Sequence, residues 1–481
     1  MICLTMTGKT IKEDLDQFWK NRPYINAAEL RMDYLKASEL SDVKLFPSQV
    51  DLPVILTFRR TSEGGKCTLS EKQRIEYLEQ ALEGGFAYLD IEDDVRRKAF
   101  LDSVRAKGVQ IIRSHHDFTG IPVDIFSLIT KLAKDGDIPK LAVMPQKTED
   151  LMTLFSVQTQ LANIPRKIIV GMGDFGVPTR VLYKKLGSIL TYCSDEEAAP
   201  GMLSPRDLCE LYHADRVNAQ TRIYGVVGNP VMQTVSPMIH NPGFHAIHFN
   251  AIYVPFQAES IRAFFRLAEQ LKINGFSVTI PFKRDVIPFL GRTSREVIRI
   301  GSCNTVIREP GLWKGYNTDY YGFLTPLEKD LIDKKIKTAI VVGAGGAARA
   351  VVWALKTYSC QVTILNRSPE RAKVLAAETM SAYDSLDNAG KYTGKADLIV
   401  QATPVGMAPD DGKDPAPKLG FTGSERVCEL IYKPGMTKFL SRASKAGCRL
   451  MFGKDMLLEQ GKLQFEFFTG YHLPPSCSIT F

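Results

Sequence analysis

The feature of this chain that most constrains its fold is an apolar strand that runs into closely spaced glycines. Residues 338–342 are rich in β-branched side chains, and a glycine-rich turn and a strong helix former follow them. In such a turn the first glycine permits a tight bend, the second lets the backbone approach a pyrophosphate, and the small Ala348 lets the helix pack close to the strand. The segment therefore predicts a dinucleotide site rather than a plain glycine turn, with the helix N-terminus at the phosphates. The residues predicted to line this site are Gly343, Ala344, Gly345, Gly346 and Ala347.

The end of the next predicted strand distinguishes between two dinucleotides. An NAD site usually places an acidic residue there, about 20 residues after the glycines, to bind the ribose 2′-hydroxyl. This chain has Asn366, Arg367 and Ser368 instead. A carboxylate would repel a 2′-phosphate and an arginine attracts one, so we predict NADP as the cofactor. The alternative is a surface arginine without a ligand.

Short apolar runs alternate with helix-compatible segments through the first part of the chain, a pattern typical of βα units. We count eight strand candidates: MICLTM, AAELRMDY, PVILTFR, YLDIE, VQIIRS, KLAVMP, KIIVGM and ILTYC. Eight βα repeats in a segment of about 200 residues predict an α/β fold of the compact (β/α)8 TIM-barrel type.

The length of 481 residues exceeds what one hydrophobic core usually holds. After SPRDLCELYHADRV the apolar pattern restarts at IYGVVGNP, so we expect the linker at residues 215–221. The predicted domains are 1–215 for the barrel, 222–318 with the returning segment 454–481 for a substrate lobe, and 319–453 for an NADP-binding Rossmann lobe.

Composition argues against several other classes of protein. The net charge of +8 is spread along the chain without a dense basic run, so nucleic-acid binding is not expected. The nine cysteines lie singly without a CxxC pair, which favours reduced thiols over a zinc site or a disulfide framework. We find neither a secretory signal nor a run of about 18 apolar residues, so we expect a cytoplasmic protein without a membrane partner or a metal.

Titratable side chains follow the predicted barrel strands, where the catalytic residues of such barrels lie. A lone histidine is usually a core residue, whereas two histidines followed by an aspartate after a β-branched strand fit a core less easily. The candidate residues are Glu29, Arg31, Arg59, Glu63, His115, His116, Lys140 and Arg180.

The second half carries GNPVMQTVSPMIHN, FSVTIPFK, GSCNTV and YNTD before the glycine turn, and QATPVGM, ELIYKPGMT and GKDMLLEQG after it. In this order the segments resemble the shikimate dehydrogenase family over residues 222–481. The resemblance implies that Lys283 and Asp319 form a catalytic pair at the hydroxyl that becomes a ketone. It further implies a set of substrate contacts and two more cofactor contacts. These are Thr234, Ser236, Thr279, Asn304, Tyr432 and Gln460 for the substrate, and Thr403 and Gly453 for the cofactor.

Two positions depart from the pattern of that family. Thr234 stands where the family has the first of two serines, and Ser277 replaces an asparagine that is common in bacterial members. Both leave shikimate and quinate open as the preferred substrate.

In the first half, the combination of AELR, SEGG, SHHDF and IPKLAVMP resembles the type I 3-dehydroquinate dehydratases. The resemblance implies that Lys140 forms a Schiff base with the substrate. It implies that His116, rather than His115, is the general acid and base, and that Glu63 supports it. The substrate contacts that it implies are Thr5, Glu29, Arg31, Arg59 and Arg180.

The chemistry of a Schiff base explains these residue types. An amine attacks a ketone only when it is unprotonated. A free lysine has a pKa of about 10.4, so only a small fraction of it is unprotonated at neutral pH. Burial and nearby cations raise the unprotonated fraction. The iminium acidifies the neighbouring carbon, a histidine removes the proton, and the tertiary hydroxyl leaves as water.

Two features of the barrel segment fit this scheme less well. The predicted strand starts at Lys140 instead of ending there. In the loop EAAPGML, Ala198 and Met202 replace a serine and a glutamine of many members.

The leading hypothesis is consecutive catalysis. The barrel would dehydrate 3-dehydroquinate, and the second half would reduce the product with NADPH to shikimate. The oligomeric state stays open. Three alternatives also stay open: a dehydrogenase with an inactive barrel, an NAD-dependent quinate dehydrogenase in the second half, and a non-catalytic regulator that senses these ligands.

Overall fold

A computed structural model of the protein describes residues 1–196 and 198–477. They form two compact units. The first comprises residues 1–225, 230–237 and 250–272. The second comprises residues 226–229 and 238–249 and the chain from Ile273 onward.

Eight parallel strands of the first unit form one sheet in the order β7-β6-β5-β4-β3-β2-β1-β8. The two edge strands meet through a bridge between Lys167 and Ser188, where Ser188 Oγ also accepts the Ile169 N–H at 3.0 Å. The sheet thus curves into a barrel, which confirms the predicted (β/α)8 class. The strands are β1 (Ile2–Met6), β2 (Ala27–Arg31), β3 (Val54–Thr57), β4 (Tyr88–Glu92), β5 (Gln110–Asp117), β6 (Ile138–Val143), β7 (Ile168–Gly171) and β8 (Thr191–Cys193).

Helices alternate with these strands, and their starts follow local sequence signals. Thr10 caps the first helix by accepting the Glu13 N–H at 3.2 Å. Ser70 and Gln73 form a reciprocal capping box at the second, which satisfies two backbone donors of the first turn. The helices are α1 (Ile11–Asn21), α2 (Glu71–Ala81), α3 (Lys98–Ala106), α4 (Ile125–Leu132), α5 (Thr148–Gln160) and α6 (Gly173–Val181).

Among the predicted strand boundaries that were wrong, three lie close to candidate site residues. Strand β6 begins at Ile138, before Lys140, and β5 continues through His116 to Asp117 instead of ending at Ser114. Residues 32–34, predicted as the end of a strand, form a 3-10 turn. For β5 and β6 the physical reason is that the two strands pair with each other beyond the predicted boundaries. In their ladder Ser114 lies opposite Lys140 and His116 lies opposite Ala142. Pairing with a neighbouring strand overrides local propensity.

The inside of the barrel is apolar at one level and polar at the next. Small and aliphatic side chains cluster around the axis: Cys3, Ala27, Ile55, Ile112 and Ile138. Side chains two residues further along a strand lie on the same face. These inward positions carry Thr5, Glu29, Thr57, Asp90, Ser114, Lys140 and Tyr192. The polar level therefore lies toward the carboxyl ends of the strands, where barrels of this class place their chemistry.

The next six strands form a second sheet in the order β10-β9-β11-β13-β14-β12. Strands β13 and β14 are an antiparallel pair joined at Gly311, whose φ of +77° favours glycine. The strands are β9 (Arg222–Gly228), β10 (Ala251–Gln257), β11 (Gly275–Val278), β12 (Arg292–Thr293), β13 (Thr305–Glu309) and β14 (Leu312–Tyr316). The helices of this region are α7 (Ser236–Ala246), α8 (Ile261–Gln270) and α9 (Arg295–Ile300).

The last six strands form a parallel sheet in the order β17-β16-β15-β18-β19-β20. Counted from β15, this is the order 3-2-1-4-5-6 of the doubly wound dinucleotide-binding fold, with apolar clusters on both faces. The predicted Rossmann fold is confirmed. The strands are β15 (Thr338–Val342), β16 (Gln361–Asn366), β17 (Ala382–Ser385), β18 (Leu398–Gln401), β19 (Arg426–Glu429) and β20 (Arg449–Met451).

Six helices accompany this sheet: α10 (Thr318–Leu324), α11 (Glu328–Ile332), α12 (Gly346–Thr357), α13 (Pro369–Thr379), α14 (Lys438–Lys445) and α15 (Gly453–Thr469). Helix α12 begins directly after the glycine turn, as the sequence predicted. Among the described residues, no helix is both long and apolar enough to cross a membrane.

Candidate active sites

Lys140 lies at the centre of the polar level of the barrel. Its Nζ donates to Asp90 Oδ2 at 2.7 Å and lies 3.8 Å from Glu29 Oε1. On another side the amine lies 4.3 Å from the centroid of the Tyr192 ring. The side chain is only 6% exposed. The β6 backbone and three neighbouring side chains therefore fix the position of this amine.

Asp90 connects Lys140 to a second cation. Its Oδ1 accepts from Arg59 and from Ser114, both at 2.6 Å. Burial by itself raises the pKa of the Asp90 carboxyl, but the positive charges of Arg59 and Lys140 outweigh burial and hold it well below the usual range. Asp90 is therefore an anion between two cations, an arrangement that is stable in a buried site only while every charge keeps its partner.

Glu29 is held by hydroxyl groups on both sides. Thr5 donates to Glu29 Oε2 and Thr57 donates to Glu29 Oε1, both at 2.8 Å. The hydroxyl of Thr5, predicted to contact the substrate, thus contacts another predicted site residue. The two threonines orient the Glu29 carboxylate, which is 4% exposed, toward the amine of Lys140.

His116 is oriented by Glu63. The distance from His116 Nδ1 to Glu63 Oε2 is 3.0 Å, and the His116 backbone N–H donates to the same oxygen at 3.2 Å. Burial, and then the charges of Arg59 and Lys140, lower the pKa of the His116 ring well below its ordinary value. Burial raises the pKa of the Glu63 carboxyl. With the proton on Nδ1, the ring donates to Glu63 and Nε2 is unprotonated.

His115 faces a different partner. Its Nδ1 lies 3.4 Å from Asp93 Oδ2, and this interaction with the Asp93 carboxylate raises the pKa of the His115 ring. The two adjacent histidines therefore have pKa values shifted in opposite directions.

Two predicted arginines are placed very differently. Arg31 is bound by Asp33, with Nε–Oδ1 and Nη2–Oδ2 distances of 2.9 and 2.7 Å. Arg180, on α6, is 2% exposed and donates from Nη2 to the Pro200 carbonyl at 3.4 Å. Within the described part of the chain, its Nε and Nη1 meet no hydrogen-bond acceptor. Burial lowers the pKa of Arg180 to about 10.

The sequence did not predict Asp90, Ser114 or Tyr192 as site residues. One signal was available, since Asp90 lies within the buried run YLDIE and a buried carboxylate needs a partner. Ser114 and Tyr192 carry no comparable signal, because hydroxyl and aromatic side chains are ordinary in strands.

The loop after β8 also bears on this site. Met202 packs against the apolar cluster of the barrel interior, and Ala198 is partly buried. Glu197, between them and the strand, lies outside the described residues. Apolar side chains therefore occupy two positions at which the sequence comparison expected hydrogen-bonding groups.

In the second unit, Lys283 and Asp319 lie together as predicted from the resemblance. Lys283 Nζ donates to Asp319 Oδ2 at 2.6 Å. Lys283 lies in the turn after β11, and Asp319 lies in the first turn of α10. The lysine side chain is 16% exposed, so this pair is less deeply buried than that of Lys140.

Asn304 holds the carboxylate of that pair. Its Nδ2 donates to Asp319 Oδ1 at 2.9 Å and lies 3.4 Å from Gln460 Oε1. Its Oδ1 accepts the Thr318 N–H at 2.7 Å. Three segments of the chain, around residues 304, 318–319 and 460, thus meet at one amide.

The other predicted substrate contacts are less closely linked. Thr234 donates to Ser236 Oγ at 3.2 Å. The Thr279 N–H donates to the Val227 carbonyl at 3.0 Å. The side chain of Thr279 is half-buried and follows the end of β11. Tyr432 follows β19 and is also half-buried. Ser277 is buried and donates to Gln464 Oε1 at 2.9 Å.

The glycine turn fits a pyrophosphate. Gly343 has a φ of +118°, and a Cβ there would lie 3.0 Å from the Ala402 carbonyl oxygen and from Thr403 Cγ2. A Cβ on Gly345 would meet no described heavy atom within 4 Å, so the backbone is open to a ligand at the start of α12. A Cβ on Gly346 would lie 3.1 Å from Lys283 Cβ, so this turn is next to the predicted catalytic lysine.

Arg367 lies at the end of β16 and is exposed. Asn366 Nδ2 donates to the Ser368 carbonyl at 2.8 Å, which bends the chain around the arginine. At the other predicted cofactor contact, a Cβ on Gly453 would lie 2.3 Å from the Ile431 carbonyl oxygen, so a side chain is excluded there.

Sequence models of known families match most of the chain. The model of type I 3-dehydroquinase matches residues 2–219. The models of the shikimate dehydrogenase substrate binding domain and of shikimate / quinate 5-dehydrogenase match residues 226–306 and 327–406.

Individual relatives agree with these matches. A bifunctional 3-dehydroquinate dehydratase/shikimate dehydrogenase from Arabidopsis thaliana, described as chloroplastic, is 31% identical over 93% of this chain and 78% of its own length. Shikimate dehydrogenase (NADP(+)) from Moorella thermoacetica is 38% identical over 54% of this chain and 92% of its own. The crystal structure of shikimate dehydrogenase from Aquifex aeolicus is 35% identical, with a TM-score of 0.50, over 55% of this chain and 97% of its own. The chain therefore belongs to the family of bifunctional 3-dehydroquinate dehydratase/shikimate dehydrogenases.

Proposed function

We propose that the chain catalyses two consecutive reactions, the dehydration of 3-dehydroquinate to 3-dehydroshikimate and the reduction of that product to shikimate. The domains proposed for them are residues 1–215 and 222–481. The observation that carries the proposal is the amine of Lys140, buried among Asp90, Glu29 and Tyr192 on the inward face of the barrel. A structural lysine needs one carboxylate partner, whereas this one is surrounded by groups that can bind a polar substrate.

The first reaction begins with Lys140. Its unprotonated amine attacks the ketone, water leaves, and the iminium formed withdraws electrons from the neighbouring carbon. Before the reaction, the Asp90 carboxylate forms an ion pair with the ammonium form of Lys140. Its ion pair with Arg59 is kept throughout the reaction. Asp90 can therefore pair with Lys140 both as an ammonium ion and as an iminium ion, since each carries one positive charge.

His116 then moves the proton. Its Nε2 removes the proton beside the iminium, the electron pair forms an enamine, and the tertiary hydroxyl leaves with that proton as water. Hydrolysis of the product imine restores Lys140. The lowered pKa of His116 supports the step, because the ring is unprotonated at neutral pH. Glu63 holds the ring by Nδ1 throughout.

Arg180 is proposed to bind the carboxylate of the substrate. A buried guanidinium with two nitrogens that meet no described acceptor favours a bidentate anionic ligand. Arg31 is already paired with Asp33 and contributes positive charge rather than free donors.

In the second reaction the chain supplies the proton and the cofactor supplies the hydride. The hydride that adds to the ketone would be supplied by NADPH when it is bound. Lys283 donates a proton to the developing alkoxide. Asp319 orients the lysine and is the counter-ion of its ammonium group. Asn304 and Gln460 keep Asp319 in position. Thr234 and Ser236 are proposed to bind the substrate carboxylate.

The cofactor assignment is NADP. Residues 343–347 would hold the pyrophosphate at the start of α12, and Thr403 and Gly453 would border the nucleotide. Asn366, Arg367 and Ser368 would bind the 2′-phosphate, since an exposed cation at the end of β16 attracts it. The name of the Moorella thermoacetica relative supports this choice.

One coupled assay tests both reactions. The purified chain receives 3-dehydroquinate and NADPH, and the oxidation of NADPH is followed for the wild type, Lys140→Ala and Lys283→Ala. The exposed Lys44 provides a matched control as Lys44→Ala. We expect oxidation in the wild type and the control. Lys140→Ala should lose it and regain it when 3-dehydroshikimate is added, whereas Lys283→Ala should lose it with either substrate.

Other results would favour the alternatives. If the wild type oxidised NADPH with 3-dehydroshikimate but not with 3-dehydroquinate, the barrel would be inactive. Ala198 and Met202 would then be the first residues to test as the cause. No oxidation with either substrate would contradict the enzymatic proposal and favour a ligand-sensing protein. A preference for quinate and NAD would contradict the role of Arg367.

A further inference from the structure

Tyr192 has a buried hydroxyl for which the barrel offers no partner. The residue is the middle one of β8 and is 4% exposed. Within the described part of the chain, its hydroxyl oxygen has no hydrogen-bond partner. A buried polar group without a partner costs free energy, and a phenylalanine would fill the same space without that cost.

The phenol lies at the site of the dehydratase reaction. Lys140 Nζ is 4.3 Å from the centroid of its ring, and the ring also packs in the apolar cluster of the barrel interior. The carboxylates of Glu29 and Asp90 and the charge of Arg59 all act on the ionisation of the phenol. The aromatic ring therefore forms one wall of the space around the amine.

The phenol stays protonated in this position. Burial, and then the charges of Glu29 and Asp90, raise the pKa of Tyr192 well above its ordinary value. A neutral phenol is a hydrogen-bond donor and not a base. Met202, from the loop after β8, packs against the same apolar cluster as the Tyr192 ring.

We propose that Tyr192 contacts the substrate in the dehydratase site, where its hydroxyl donates a hydrogen bond to the oxygen on the carbon that Lys140 attacks. This proposal rests on the function proposed above and adds one residue to it. The hydroxyl would find its partner only when substrate is bound, which accounts for a polar group that the barrel itself leaves without one. It forms no covalent bond and gives up no proton.

The test is Tyr192→Phe in the full chain. The matched control is Tyr183→Phe, which removes another buried hydroxyl of the same unit, one that accepts a hydrogen bond from the Met1 amino group at 3.3 Å. Three readouts are measured: kcat/KM for 3-dehydroquinate, the rate at which borohydride traps the imine on Lys140, and the midpoint of thermal unfolding. The reduction of 3-dehydroshikimate by the same sample is the internal reference.

We expect Tyr192→Phe to lower kcat/KM for 3-dehydroquinate about tenfold, the usual effect of one lost hydrogen bond to a substrate. Trapping should slow by a similar factor, and the unfolding midpoint should stay the same or rise. The control should keep its kcat/KM.

Unchanged kcat/KM and trapping in Tyr192→Phe, with an active wild type, would overturn this proposal and leave the function intact. A loss shared by the dehydrogenase reaction, or accompanied by a lower unfolding midpoint, would overturn it as well, because the role would then be structural. An inactive wild type would overturn both proposals.

Discussion

The lysine–carboxylate pairs of the two proposed active sites have similar geometry and different surroundings. Lys140 Nζ lies 2.7 Å from Asp90 and Lys283 Nζ lies 2.6 Å from Asp319. In the barrel, the carboxylate is shared with Arg59, so that charged groups surround the amine. In the second unit, the amide of Asn304 holds the carboxylate, and the lysine is more exposed.

This difference follows from the two reactions proposed. An amine that becomes an iminium has to be surrounded by charges that remain balanced at each step. A lysine that only delivers a proton needs a single counter-ion and access to the alkoxide. The same pair of residue types can therefore serve as nucleophile in one fold and as proton donor in the other, and the surroundings decide which.

Charge-retaining substitutions of the two lysines should give the largest contrast. Lys140→Arg keeps the positive charge but cannot form an imine, so we expect dehydratase kcat to fall by about 10⁴-fold or more. Lys283→Arg keeps the ion pair and loses proton donation, for which a fall of about 10²-fold in reduction is expected. Separate assays with each substrate measure both. Equal losses in the two reactions would contradict the contrast.

Removal of the carboxylate charge should lower the free energy of unfolding by different amounts at the two pairs. Asp90→Asn leaves two buried cations with less compensation, and we expect the free energy of unfolding to fall by about 3–5 kcal/mol. Asp319→Asn should cost about 1–2 kcal/mol, because its lysine can turn toward water. Urea unfolding measures both. Asp51→Asn, which breaks an exposed pair with Arg22, serves as the control and should change little. A larger loss for Asp319→Asn would reverse the comparison.

Cofactor choice should respond to a single exposed charge. In Arg367→Ser the attraction for the 2′-phosphate is lost, so kcat/KM with NADPH should fall about 10- to 100-fold while kcat/KM with NADH stays the same. The dehydratase reaction is the internal reference. A parallel loss with both cofactors would mean that the arginine supports the fold of the loop instead of selecting the phosphate.

The smallest expected effect concerns pH. Burial and two nearby cations lower the pKa of His116, so the base stays unprotonated as the pH falls to the ordinary histidine value of about 6.5. At saturating substrate, where the imine on Lys140 has already formed, dehydratase kcat should therefore remain level between about pH 7.5 and 6.5 and decline only below that range. A pH–rate profile checks this. An acidic decline centred above the ordinary value would contradict the direction of the shift.

The degree to which the sites were predictable differs between the two halves. The Lys283–Asp319 pair and the glycine turn follow from short segments whose order resembles a known family, and the structure brings them together. In the barrel, Lys140 was placed at the start of its strand, whereas it lies within β6. Asp90 was missed because its partners come from other strands.

The sequence by itself determined the classes of fold. Alternating apolar and helical segments predict the barrel, and the strand, glycine turn and helix predict the dinucleotide lobe, because hydrophobic period and glycine conformation are local properties. Only the tertiary structure decided which inward side chains share charge, such as Lys140 with Asp90 and Arg59, and that the hydroxyl of Tyr192 is left without a partner. The physical reason is that burial and pairing depend on strands far apart in the chain, and neither leaves a pattern in the sequence around any one residue.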